Sequence, residues 1–240
     1  MIATLDAAAA WVDEAGLALL FPKADVVLPS LWEQVAGETD APHAVRDPDG
    51  AFVDWSEGME FLWSAKDELP ALGLVCVGKH VARVTACIAP RMLPALVAQT
   101  DRPDPEGLEG ELVSAVHSTG PLTAAELRAL VGAPKKDVDR GIAALHRRLV
   151  LTSSHLVRSD SGWGALAHDL LVRKWKLPRR LPLPDEARRE LARVVLTSAR
   201  ELTAADLGAV LGWRRRLAAE VLDEVAEGRE LGDFRIWTAP

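Results

Sequence analysis

Residues 122–132 read LTAAELRALVG, and residues 202–212 read LTAADLGAVLG. Each copy opens on a threonine that is followed three positions later by an acid, Thr123 with Glu126 and Thr203 with Asp206. That spacing is the capping box, in which the hydroxyl and the carboxylate each accept from a backbone N–H at the start of a helix. Each copy closes on a glycine, Gly132 or Gly212, the residue most tolerant of the left-handed turn that ends helices. An amphipathic segment precedes each copy, ELVSAVHS from Glu111 and ELARVVLTS from Glu190. A further helix follows, with Pro134 suited to its first turn in the first copy. Segments of strand-like composition come next, LVLTSSHLV from Leu149 and ELGDFRIW from Glu230. Helix, turn, helix and hairpin, written twice, predict tandem winged helix-turn-helix domains within a mainly α chain with small β-hairpins, α+β in class.

Two Pro-rich stretches divide the 240 residues. AQTDRPDPEGLEG at 98–110 and KLPRRLPLPDE at 176–186 read as linkers. The expected units are an N-terminal α/β domain at 1–104, a diverged winged helix in one reading, a winged-helix domain at 105–178 and a second at 179–240. The N-terminal part predicts helices over 5–20, 29–36 and 57–68, a hairpin LVCVGKHVARVTACI from Leu74, and a helix after Pro90. Its tryptophans Trp11, Trp32, Trp55 and Trp63 stand at helical spacing with aliphatic residues and read as core. Cys76 and Cys87 flank the hairpin and read as buried, reduced thiols, in keeping with a cytoplasmic protein. The first twenty residues carry no basic side chain, so they make no secretory signal, and no apolar run is long enough to span a bilayer.

The net charge of −7 is unevenly spread. Residues 1–104 hold seven Lys and Arg against sixteen Asp and Glu, whereas residues 170–216 hold twelve against five. Phosphate contact depends on local charge, so the acidic total does not exclude nucleic acid. In a winged helix the third helix enters the major groove. In the first copy Val138, Ile142, Leu145 and Leu149 form an inward stripe, and the opposite stripe is Lys136, Arg140, Ala143 and Arg147, flanked by Lys135 and His146. The second copy aligns Ala218, Leu222 and Val225 inward, but its outward stripe is Arg216, Glu220, Asp223 and Glu227. Three carboxylates along a groove lined by phosphates would repel it. Arg214, Arg215 and Arg216 at the helix start remain candidates for clamping a backbone from outside. Between the copies RKWKLPRR sets Arg173, Lys174, Lys176, Arg179 and Arg180 around Trp175, a mixture suited either to backbone contact or to a solvated linker anchored by its tryptophan. Trp163, in RSDSGWG, falls near the tip of the first wing.

Catalytic signatures are absent. The six histidines are scattered, with no cysteine or histidine set at zinc spacing, so no metal or cofactor is expected. There is no P-loop, GxSxG or GxGxxG. Carboxylate pairs such as Asp54/Glu57 and Asp67/Glu68 read as surface charge.

FPKADVVLPSLWEQVAG (Phe21–Gly37), WSAKDELPALGLVCVGK (Trp63–Lys79) and LAHDLLVRKWKLP (Leu166–Pro178) resemble the AlkZ-related winged-helix proteins, distant relatives of the YcaQ/AlkZ-type DNA glycosylases. The resemblance covers most of the chain and rests on structural phrases. It implies tandem winged-helix domains forming a concave surface for double-stranded DNA. The glycosylases place a Gln–hydrophobic–Gln or Gln–hydrophobic–Asp motif near the N-terminus to position a water. Here Gln34-Val35-Ala36 does not match it. Gln99-Thr100-Asp101 has matching ends, but a polar middle residue and a place far down the chain, and reads as coincidence. The expectation is non-catalytic DNA binding in DNA repair or transcription regulation. Two alternatives accompany it. One is a glycosylase-like enzyme with a catalytic residue outside the family motif, and the other is a protein-interaction module or homodimer using the acidic N-terminal part.

Overall fold

In a computed structural model of the chain, the described residues are 1–37, 44–49, 51–100, 104–158, 164–232 and 234–239. About 52% of the described residues are helical, and the sheets among them are small and antiparallel, an α+β arrangement.

The N-terminal part begins with α1 (Leu5–Ala15), whose cap is the Thr4 hydroxyl accepting from the N–H of Ala7 at 3.2 Å. The apolar run 5–20 predicts one long helix, but the helix stops at Ala15. Gly16 turns the chain at φ 74°, and Leu17–Leu19 form strand β1. A side chain at Gly16 would also meet the Val194 methyl at 2.9 Å, so both conformation and space require glycine there. Next come α2 (Leu31–Ala36), opened by a Ser30/Glu33 capping box, the ribbon β2 (Ala44–Arg46) and β3 (Phe52–Trp55), and α3 (Glu57–Ala71). The expected hairpin is present as β4 (Cys76–Gly78) and β5 (Ala86–Ile88), and a 3-10 turn at Pro90–Met92 leads into α4 (Leu93–Gln99). Strand β1 joins on the far side of β5, giving the order β1-β5-β4.

Both faces of this sheet are buried, and the alternation of its residues shows why. Ala18, Leu20, Val77 and Cys87 face a core with α1, α2 and α3, including Val12, Trp32 and Leu62. Leu17, Leu19, Cys76 and Ile88 face the opposite way, into a larger core that continues into the C-terminal third of the chain. Of the four N-terminal tryptophans, Trp32 is buried and Trp11 half-buried as core. Trp55 and Trp63 are instead 41% and 44% exposed, one on the ribbon and one on the outer side of α3.

The two copies have the same order of elements. The first is α5 (Gly107–Thr119), β6 (Leu122–Thr123), α6 (Ala124–Val131), α7 (Lys135–Arg147), β7 (Leu151–Val157) and β8 (Ala165–Leu170), with sheet order β6-β8-β7. The second is α9 (Pro184–Ala199), β9 (Glu201–Thr203), α10 (Ala204–Leu211), α11 (Arg215–Val225), β10 (Gly228–Leu231) and β11 (Phe234–Thr238), with order β10-β11-β9. A single helical turn, α8 (Leu171–Lys174), follows the first copy. Both capping boxes form: the Thr123 N–H donates to Glu126 at 2.7 Å, and the Thr203 N–H to Asp206 at 2.8 Å. Gly132 and Gly212 are left-handed, at φ 67° and 74°. Pro134 stands one position earlier than expected, as the N-cap residue of α7.

The copies differ in what they pack against. The first has its own core of Leu112, Val116, Leu127, Val138, Leu145 and Leu151. The second shares the large core with the N-terminal sheet and α4, through Leu191, Val195, Leu207 and Leu222. No helix among the described residues is long and apolar enough to cross a membrane.

Candidate nucleic-acid interface

Helix α7 has the amphipathic division its sequence calls for. Val138, Ile142 and Leu145 are buried, while Lys135, Lys136, Arg140 and Arg147 are exposed. Its surroundings divide the exposed stripe. At the N-terminal end Arg140 pairs with Asp137 at 3.3 Å and Lys135 with Asp139 at 3.1 Å, and Lys136 makes no ion pair among the described residues. Further along, Ala143 is half-buried and lines a cavity of about 420 Å³ opposite Lys66, Lys79 and Thr85. Arg147 lines a second cavity, of about 490 Å³. The N-terminal hairpin therefore stands over the C-terminal half of α7, and the open cationic surface is its first half.

His146, expected beside the cationic stripe, is only 5% exposed. It stacks on His80, ring centroids 5.2 Å apart and planes within 8°, and its Nε2 lies 3.1 Å from Nδ1 of His168. The sequence scatters these three rings over hairpin, helix and strand, and the fold gathers them at the joint between the N-terminal part and the first copy. His80 Nδ1 donates to the carbonyl of His146 at 2.6 Å, which fixes the end of α7, and His80 Nε2 has no hydrogen-bond partner among the described residues. Gly78 makes the stacking possible, since a Cβ there would lie 2.6 Å from both His80 Nε2 and His146 Nδ1. Burial pushes His80 and His168 down to about 4, and it drives His146 well below the ordinary histidine range, helped by its histidine neighbours and Lys79. All three rings are neutral at pH 7. Among the described residues no set of side chains could hold a metal ion.

The other predicted cations fall into two groups. Lys176, Arg179 and Arg180 are exposed on the linker, and Arg214, Arg215 and Arg216 are exposed before and within the first turn of α11, with Arg216 paired to Glu220 at 3.4 Å. Arg173 and Lys174 are engaged by the protein itself. Arg173 pairs with Asp169 and donates to the carbonyl of Val116 at 2.9 Å, at the end of α5, while Lys174 donates to the Ala71 carbonyl at 3.3 Å. Trp175 between them is 5% exposed in the shared core, so it anchors the linker. Trp163, expected near a wing tip, lies outside the described residues, as do His43 and Asp101. Carboxylates of the second copy are tied up internally. Asp223 accepts from the Trp237 indole at 3.0 Å and pairs with Arg235 at 3.1 Å, and Glu224 pairs with Arg189 at 2.8 Å.

Sequence reasoning passed over two cations of the acidic N-terminal part, Lys79 and Arg83. Both are exposed, and neither has a carboxylate partner among the described residues. The signal is GKHVAR at the hairpin, a local basic cluster within an acidic hundred residues. Gln99 lines the larger cavity, where its Oε1 accepts from the Trp213 indole at 2.8 Å and its Nε2 donates to the Thr100 hydroxyl at 3.1 Å.

The profile of the family described as "DNA glycosylase AlkZ-like" matches residues 80–239, two thirds of the chain. No curated protein matches the chain.

Proposed function

We propose, from the premise that the chain belongs to the AlkZ-like DNA glycosylase family, that this DNA-repair-related protein binds duplex DNA through two winged-helix units without excising a base. The units are 105–178 and 179–240, behind an N-terminal domain at 1–104. The observation that carries the reading is the open first half of α7, where Lys135, Lys136 and Arg140 project from a helix held in place by the Thr123/Glu126-capped α6. Residues near the N-terminal end of a recognition helix are those that reach base edges, so a covered C-terminal half is compatible with insertion. Lys176, Arg179, Arg180 and Arg214 to Arg216 contact phosphates on either side. Lys174 braces the joint to the N-terminal domain through its bond to the Ala71 carbonyl, Arg173 ties α8 to α5 within its own unit, and both contribute charge at longer range.

The absence of excision rests on the sequence. The water-positioning motif of the glycosylases has no counterpart, and both polar ends of the Gln99 amide are already bonded inside the protein. The test is fluorescence anisotropy of a labelled duplex as a function of salt, with base release from alkylated DNA measured in parallel. Binding is expected to weaken steeply with salt, by a log–log slope of about −0.9 for each phosphate contacted. Lys136→Glu with Arg140→Glu is expected to weaken it about a hundredfold. Salt-insensitive binding overturns the DNA reading, and released base overturns the non-catalytic one.

A further inference from the structure

The larger cavity lies where three distant stretches meet: the β4–β5 hairpin, the end of α7, and α10 with the turn after it. Its wall includes His80, Arg83, Gln99, Arg147, Leu149 and Trp213. At about 490 Å³ it is within the range of small-molecule sites. We propose that this cavity is a binding site for a nucleoside phosphate, held by Arg83 and Arg147 at the phosphate and by the floor of α10 at the base.

Three independent features support it. The first is strain. Four non-glycine residues among those described have positive φ, and three of them, Ala82 (52°), Arg83 (57°) and Leu149 (55°), line this cavity. Such a conformation is costly for a side-chain-bearing residue and persists only where surrounding structure enforces it, often at ligand sites. Here the Ala82 N–H donates to the Val210 carbonyl at 2.8 Å, locking the strained hairpin onto α10. The second is charge. Arg83 and Arg147 approach from parts of the sequence 64 positions apart, and neither pairs with a carboxylate among the described residues. By contrast Arg148 pairs with Glu109, Arg173 with Asp169 and Arg189 with Glu224. Guanidinium groups left open at a concavity suit a phosphoryl group.

The third is the opposite polarity of the floor. Gly208 to Leu211 are the last turn of α10, whose carbonyls carry the negative end of the helix dipole. That floor repels a second anion and favours N–H donors. A ligand anionic at one end and neutral, planar and amino-bearing at the other satisfies both ends. Trp213, held by its indole bond to Gln99, stands beside that inner space. Inorganic phosphate satisfies only the rim. The proposal goes beyond the duplex-binding reading and uses none of the cations that reading places on DNA.

The nucleotide can arrive free or as one unpaired unit of a DNA strand, and the test separates these sources. The full chain is titrated calorimetrically with dAMP, with inorganic phosphate as control, and its affinity is compared for an intact duplex and one carrying a single bulged adenosine. Arg83→Asn removes the cation while keeping a residue that tolerates positive φ, and Arg147→Gln removes the second. Binding of dAMP well above inorganic phosphate, lowered about tenfold or more by either variant, supports a free ligand. Bulge-selective binding lost in Arg83→Asn, without dAMP binding, supports the strand-borne source. The proposal is overturned if dAMP binds no better than phosphate and the bulge gives no preference, or if both variants bind as the parent does. Unchanged thermal midpoints in the variants exclude misfolding as the cause. Failure of the duplex reading shows separately, as insensitivity to Lys136→Glu with Arg140→Glu.

Discussion

The two copies share their capped second helix and its closing glycine, yet they serve the molecule differently. The first encloses its own core, reaches the large core only at its margin through Leu149 and Leu171, and otherwise meets the rest of the protein through polar groups: the histidine stack, the Lys174 bond to the Ala71 carbonyl, and a 3.3 Å contact between Cys76 Sγ and the Thr152 hydroxyl. The second gives up an independent core and closes one face of the N-terminal sheet. Its third helix follows suit, with carboxylates that bind Arg189, Arg235 and Trp237 of its own copy. A duplicated scaffold can thus keep one copy's helix face free while the other becomes part of the frame. Acid, core truncation, charge reversal and cap removal probe that division, in decreasing order of effect.

Acid separates the copies most strongly. The folded protein holds His80 and His168 at about 4 against an ordinary 6.5, because burial disfavours the charged rings. The unfolded chain therefore takes up protons first as pH falls. Stability is complete above pH 6.5, declines between 6.5 and 4, and levels below, a loss of about 3 kcal/mol for each of these two rings. His146 adds to it in the same direction, while Asp139 near His168 opposes it. The second copy contains no histidine. Hydrogen exchange at pH 5 is expected to show α7 and β8 opening well before α10 and α11, and equal opening in both copies would refute the assignment. Urea midpoints of His80→Phe should depend less on pH than those of the parent.

Trp175→Ala comes next. The residue follows the first copy in the chain but is buried in the core shared with the second. A loss of about 3–5 kcal/mol is expected, accompanied by early loosening of α9 and α4 rather than of α7. Loosening confined to the first copy would mean that the linker tryptophan belongs to the wrong core. The free thiol Cys76 sits in this same core, burial pushing it up to about 12, so its slow alkylation by iodoacetamide in the parent should accelerate in the variant, while Cys87, in the other core, should stay slow.

Charge reversal follows. Lys136→Glu with Arg140→Glu is expected to lower duplex affinity by about a hundredfold, roughly 2.7 kcal/mol, and to flatten its salt dependence by about two contacts. The same reversal at Arg215 and Arg216 should cost less, because α11 already carries Glu220, Asp223 and Glu224 beside them. Equal losses would show that both helices meet DNA and that the charge divergence between copies has no functional meaning.

These cases also mark where sequence reading works and where it stops. Whatever depends on residues three or four apart was legible: the capping boxes, the closing glycines and the two faces of α7. The end of α1 was not, because LALL continues an apolar run that suits a buried strand as well as a helix. His80, His146 and His168 looked scattered because their convergence needs the hairpin docked over α7, a long-range event with no local signature. The same docking hides Ala143 and brings Arg147 to a cavity, so the periodicity named the right face without showing how much of it is open. Cys76 and Cys87 were legible as buried thiols, since both lie in strands of uniformly apolar composition.

The smallest effect tests the premise of the comparison. If the repeated phrase is a scaffold common to both copies, then removing its cap should cost the same in each, whatever the helices beyond have become. Thr123 and Thr203 each accept from the N–H of the third helical residue, at 3.2 and 3.3 Å, and each backbone N–H reaches the paired carboxylate. Thr123→Ala and Thr203→Ala should therefore each lose about 1 kcal/mol in urea unfolding. Only Thr123→Ala should also weaken duplex binding, because α6 sets the entry angle of α7. Unequal losses of stability would mean that the second cap has drifted into a different role as its copy merged with the frame. Equal losses with unequal binding would place the divergence wholly in the third helix.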